Sequence, residues 1–274
     1  MRSIWLCADD YGMSRAVSRG IRELLAIGRI NATSAMVVAN AFTPDEAEAL
    51  LFTEIQGRQP AIGLHVTLTA PFRPLTDFPH VADGKFCALA DFMRRAVGRR
   101  LEAAALATEI AAQLAAFTKA FGRPPDFIDG HQHVQLFPQV RDAFLRTVAE
   151  QAPTAWVRQC GGTGLAPHRL RGRKALVLEI LSFAFRRKAR RYGLRFNPAF
   201  AGSYDFLPDA DFSRLFPRFL EGLPDGGLVM CHPGFVDAEL VKLDPLTTLR
   251  EREYAYFKGE QFLQTLAAND VALA

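Results

Sequence analysis

Short apolar, β-branched runs alternate with longer stretches of helical periodicity along almost the whole chain. The runs Ile4–Ala8, Ser34–Ala39, Ala61–Thr69, Phe127–Gly130, Ala155–Arg158, Leu228–Cys231 and Val271–Ala274 read as buried strands. The helical stretches are Ser14–Ile27, Pro44–Glu54, Ala88–Phe121 with a break, Gln139–Glu150, Leu176–Tyr192, Phe212–Leu220 and Leu249–Ala268. Ser14 is a ready N-cap for the first of them, and Gly28 a stop. Such alternation predicts a parallel sheet, and about seven strands predict an α/β, (β/α) barrel, complete or incomplete. No internal repeat is visible.

Length and composition leave that picture intact. A chain of 274 residues, 49% apolar and 23% charged, buries a sizeable core, and no low-complexity tract divides it, so residues 1–274 are expected to form one domain. Asp9 and Asp10 fall where a secretory signal would need its apolar core, and no stretch reaches the roughly 18 apolar residues of a membrane span. A cytoplasmic location is the expectation. Cys7, Cys87, Cys160 and Cys231 are scattered without a CxxC pair, as reduced thiols would be.

Charge adds one local feature. His168 to Arg195 holds ten Lys or Arg and the single acid Glu179, so the rest of the chain has 23 basic against 28 acidic residues. The segment 169–195 joins basic ends to an apolar centre too short to span a bilayer. It reads either as an ordinary barrel helix or as a candidate for peripheral contact with the inner face of a membrane. Nucleic acid is not expected, because no interleaved aromatic residues accompany the charge.

The chemistry gathers at strand ends. In a parallel barrel the reactive groups collect where the strands' carboxyl ends meet the βα loops. Asp9 and Asp10 close the first strand, His65 sits in "GLHVTLT", Asp129, His131 and His133 in "DFIDGHQHV", and His232 in "LVMCHPG". Two neutral imidazoles and a carboxylate form a three-ligand set that leaves positions open on a divalent cation for water and substrate. Successive side chains on an extended stretch diverge, so one aspartate can hold the ion while its neighbour takes a proton from the attacking water. Amide cleavage also needs a proton for the leaving amine, and His232, fixed by Pro233 and Gly234, is the candidate donor.

"ADDYGMS", "GLHVTLT", "DFIDGHQHV" and "MCHPGFVD" stand in the order and at the approximate spacing of the YdjC-like carbohydrate deacetylases, a family that includes chitooligosaccharide deacetylases and the hopanoid-biosynthesis HpnK group. The resemblance covers nearly the whole chain. It implies a distorted (β/α) barrel similar to the NodB-type deacetylases and removal of an acetyl group from an N-acetylated amino sugar, free or lipid-linked, with one divalent ion, zinc or magnesium. Carried over by motif, it makes Asp9 the base, Asp10, His65 and His131 the metal ligands, His232 the acid, and Arg158 the arginine that keeps the base ionised. Asp129 becomes the residue that orients a metal-bound histidine, and His133 a neighbour of the site. Two departures are visible: Gln135 stands where the family often has a histidine, with altered substrate contacts expected, and Tyr11 adds a hydroxyl that could touch a sugar. Hydrolysis of another amide or ester, and a non-catalytic anion- or membrane-binding barrel, are the alternative readings of the same residues.

Overall fold

The computed structural model describes residues 1–55, 57–79, 81–162 and 173–274, side chains 173–175 excepted. His80, His168 and the first part of the basic segment therefore lie outside the described residues.

Strand β1 (Arg2–Tyr11) is the longest and almost wholly buried, which its run of Ile, Trp, Leu, Cys and Ala dictates. β2 (Ala32–Ala35), β3 (Ala61–Val66), a short β4–β5 hairpin (Val81–Ala82, Lys85–Phe86), β6 (Phe127–Gly130), β7 (Trp156–Val157), β8 (Phe200–Ala201), β9 (Leu228–Cys231) and β10 (Val271–Leu273) follow. Seven parallel strands line up in the order β7-β6-β3-β2-β1-β9-β8, with β10 added along the first residues of β1. Asn31 staples that corner: it accepts from Leu6 N–H at 2.8 Å and donates to the carbonyls of Ile4 at 3.0 Å and Ala274 at 3.2 Å.

The sheet curls until its edge strands meet. Val157 N–H donates to the Arg195 carbonyl at 2.9 Å and Phe200 N–H to the Gly161 carbonyl at 2.9 Å. Between these bonds Asn197 stands in for a strand, accepting from Gln159 N–H at 2.9 Å and donating to the Gln159 carbonyl at 3.0 Å. The result is the distorted barrel expected from the sequence, with an irregular seam between β7 and β8.

Helices α1 (Arg15–Ala26), α2 (Pro44–Leu51), α3 (Leu89–Val97), α4 (Ala103–Phe121), α5 (Val140–Gln151), α6 (Arg173–Arg191), α7 (Phe212–Leu220), α8 (Leu240–Leu243), α9 (Thr248–Lys258) and α10 (Glu260–Ala268) surround it. Ser14 caps α1 through its side chain, as predicted. The stretch expected as one helix over Leu249–Ala268 is two, because Gly259 is extended between α9 and α10. β8 was not predicted: two residues carry no alternation to read. Packing is tight where glycine permits it; a Cβ on Gly63 of β3 would lie 2.4 Å from the ring of Phe127, which stacks on Trp156.

Candidate active site

Four strand ends bring the predicted residues to one cavity of about 400 Å3, within the usual range for small-ligand pockets. Asp9, Asp10, His65, His131, His133 and His232 line it, with Leu89, Phe206, Met230 and Leu249 among its apolar walls.

Asp9 and Asp10 lie inside β1 rather than after it. The register of β1 against β2 shifts between Ala8 and Tyr11, and Asp10 takes φ +71, left-handed for a residue with a Cβ. This irregularity, rather than the plain alternation expected from the sequence, gives the two carboxylates separate surroundings. Asp9 is gripped by Arg158, Nη1 donating to Oδ2 at 2.6 Å and Nη2 to Oδ1 at 2.7 Å, and accepts from Ser34 Oγ at 3.3 Å. Burial pushes the Asp9 carboxyl up, but the Arg158 charge and hydrogen bonds outweigh it and hold the group at about 2. Asp10 accepts from Arg250 Nη2 at 2.7 Å on Oδ2 and turns Oδ1 to the two histidines. Its carboxyl is likewise driven well below the usual range, burial being overcome by Arg250 and the imidazoles.

His65 Nδ1 donates to Asp129 Oδ1 at 2.6 Å, which leaves Nε2 facing Asp10 Oδ1 at 3.4 Å. Burial alone would lower the imidazole; Asp129 and Asp10 raise it to about 10. His131 opens a 3-10 turn (His131–Leu136) after β6, and its Nδ1 lies 3.1 Å from Asp10 Oδ1. Gln132 and His133 follow with φ of 55 and 59, a backbone reversal that keeps His133 at the cavity wall, its Nδ1 3.5 Å from Cys160 Sγ. Donor atoms of Asp10, His65 and His131 lie within 4.8 Å of one another, all buried. Two imidazoles and a carboxylate at that spacing, one histidine already held by a carboxylate on its other nitrogen, fit a divalent cation.

Cys7, Asp9 and Asp129 are equally close together. That cluster is filled by the chain itself, because Arg158 Nη2 lies 3.0 Å from Cys7 Sγ and 2.6 Å from Asp129 Oδ2. It is the cage of a fully buried arginine, whose guanidinium takes the place an ion would need.

His232 follows β9 and faces the metal-competent triad from another strand end. Its backbone N–H donates to Glu253 Oε2 at 2.5 Å, its ring meets Phe206 edge-on, and its buried Nδ1 has no hydrogen-bond partner among the described residues. Burial lowers its proton affinity below the ordinary histidine value. Gly20 lets this turn lie on α1: a Cβ there would stand 2.9 Å from Gly234 Cα.

Two predicted contacts are corrected. Tyr11 is fully buried, its hydroxyl donating to the Glu46 carbonyl at 2.7 Å and accepting from Arg22, so it does not reach a sugar in the cavity. Gln135 is also buried, donating to the Arg158 carbonyl at 3.3 Å; it braces the backbone just past β7 instead of facing substrate. Arg250 and Glu253 were not predicted. They stand three residues apart on the buried face of α9, where an amphipathic helix normally carries apolar residues, and only knowledge of that face would have marked them.

The arrangement offers an ionised carboxylate, a cation-competent triad and a buried imidazole around one space, the parts hydrolysis of an amide or ester needs. Known proteins match most of the chain's length. A chitooligosaccharide deacetylase of Yersinia pestis bv. Antiqua (strain Angola) is 28% identical over 245 residues, 85% of this chain and 82% of the relative. One of Yersinia pseudotuberculosis serotype O:3 (strain YPIII) is 27% identical over the same shares. The crystal structure of an Enterococcus faecalis V583 protein named for cellobiose-phosphate cleavage superposes with a TM-score of 0.79 at 21% identity, covering 100% of this chain and 97% of that one, and shares the fold. The YdjC-like protein family model matches residues 3–268, and the chain belongs to the YdjC-like family.

Proposed function

We propose that the protein is a metal-dependent hydrolase that removes the acetyl group from an N-acetylated amino sugar. The observation that carries this reading is the division of labour between adjacent acids: Asp9 is held ionised by Arg158 while Asp10 joins His65 and His131 in a cation-competent triad. Two relatives named chitooligosaccharide deacetylase support the sugar.

Asp10, His65 and His131 would hold one divalent ion, which when bound polarises the acetyl carbonyl and favours ionisation of water. Two imidazoles and a carboxylate favour zinc or another late first-row ion over magnesium. Asp129 keeps His65 in the tautomer that presents Nε2. Asp9 Oδ1 accepts from both Arg158 and Ser34, whereas Oδ2 accepts from Arg158 alone and retains a lone pair that can take a proton from the attacking water. His232 then donates a proton to the departing nitrogen. Burial makes its imidazolium scarce at neutral pH but more acidic than an exposed one, which suits a poor leaving group.

Acetate release from N-acetylglucosamine oligomers tests the reading. Release is expected from the ion-loaded protein, lost after chelation and restored by adding back the ion; absence of release from every N-acetyl sugar offered to the loaded protein overturns it.

A further inference from the structure

Helix α6 buries Leu178, Ser182, Phe185 and Ala189 against the barrel. Its opposite face exposes Leu176, Val177, Ile180 and Phe183, each between half and two thirds accessible, where a solvated barrel helix carries polar residues. The same stripe continues, at helical spacing, into exposed Arg187, Arg190 and Arg191.

The helix is fixed at a definite height. Cys160 N–H donates to Ser182 Oγ at 3.0 Å and Gly162 N–H to Glu179 Oε2 at 2.7 Å, tying its middle to the chain just past β7, at the end of the barrel where the cavity opens. At 1.5 Å per residue, Leu176 rises about 9 Å beyond Ser182 along the axis, while the arginines sit about 6–12 Å back from Phe183. Leu207, beside cavity-lining Phe206 and Pro208, is also exposed at this end. Arg173 and Lys174 open α6 ahead of its exposed apolar residues and Arg187, Arg190 and Arg191 follow them, so the stripe is an apolar patch between cationic ends, the pattern of a helix seated on a bilayer surface, where apolar side chains enter about 5–10 Å and arginines meet phosphate.

We propose that this face of α6 docks on an anionic lipid bilayer, at the side of the barrel next to the cavity end. The contact is peripheral, since no helix among the described residues is long and apolar enough to cross a membrane. Charge selects this occupant over a second copy of the chain: α6 is basic at both ends, so a two-fold pairing through the stripe, parallel or antiparallel, would set the cations of one copy near those of the other. Exposed Asp205 and Asp209 flank Leu207, so the α6 side leads the approach. The inference rests on the surface alone and stands apart from the chemistry assigned to the cavity.

Sedimentation of the full chain with vesicles tests it. Binding is expected to mixed phosphatidylcholine–phosphatidylglycerol vesicles, to weaken in high salt and to be at least tenfold poorer on phosphatidylcholine alone. The Ile180→Glu/Phe183→Glu variant should lose binding at least tenfold with an unchanged thermal transition, and Arg187→Gln/Arg190→Gln should weaken it on anionic vesicles only. No binding of the unaltered chain to anionic vesicles overturns the proposal. So does a self-associated species in solution that Ile180→Glu/Phe183→Glu dissociates while vesicle binding stays unchanged, which would assign the stripe to a second copy.

Discussion

Arg250 Nη2 lies 2.7 Å from Asp10 Oδ2, a contact made across 240 residues of chain. The same nitrogen lies 2.6 Å from Asp244 Oδ2, and the guanidinium is fully buried. Asp10 holds a left-handed backbone, and this bond fixes which oxygen it turns to His65 and His131. Arg250→Met should therefore lower affinity for a divalent ion by about 10–100-fold, the usual effect of losing a partner that orients a ligand. Equilibrium dialysis on folded protein measures it; unchanged affinity would make Arg250 purely architectural.

Asp9 and Asp10 are adjacent yet should fail differently. Asp9→Asn removes the proton acceptor but leaves the triad, and Arg158 keeps Asp129 as a partner, so turnover should vanish while the ion stays bound. His131→Ala should lose both. Paired measurements of ion content and acetate release separate the two, and equal ion loss in both variants would mean that the acids have exchanged roles.

Much of this site was legible in the sequence because a parallel barrel has one rule, reactive groups at strand ends, and Asp9, Asp10, His65, His131 and His232 obey it. Arg158, one residue past β7, came from the family resemblance and not from that rule. The rule is silent about helices. Arg250 and Glu253 reach the site from the buried side of α9, and a charged residue on a helix reads from sequence as solvated surface. The rule is also silent about direction: Tyr11 and Gln135 lie beside site residues in the chain, but the bulge in β1 and the turn after β6 send their side chains into the protein.

Glu253 gives a pH dependence of stability. Its two oxygens accept from Tyr204 Oη at 2.7 Å and His232 N–H at 2.5 Å, yet burial dominates and raises the carboxyl from its ordinary value to about 7. A folded-state value above the unfolded one means the native chain binds the extra proton between about 4.5 and 7, so this contribution to stability is full in acid, falls as pH rises through that window, and is absent above it. Glu253→Gln can accept from His232 N–H and donate to the tyrosine oxygen with no ionisable group left. Denaturant unfolding at pH 5 and pH 8 should show the variant gaining stability relative to wild type at the higher pH; parallel behaviour at both would mean that Glu253 is ionised throughout.

His232 is the most demanding assignment, because a histidine in a fixed turn can serve architecture as well as chemistry. Its backbone N–H, not its ring, makes the bond to Glu253, and its ring nitrogen Nδ1 has no partner among the described residues, so the turn does not depend on the imidazole. His232→Ala should leave the turn and the ion in place and cut the rate on an N-acetyl sugar by about a hundredfold or more, the scale of general acid catalysis. An activated ester departs without protonation. The variant should therefore keep far more of its rate on such an ester than on the amide, and a selective loss on the amide locates the proton transfer at the leaving nitrogen. Equal losses on both substrates would place His232 in binding or in the wall of the cavity, where Phe206 already packs against its ring.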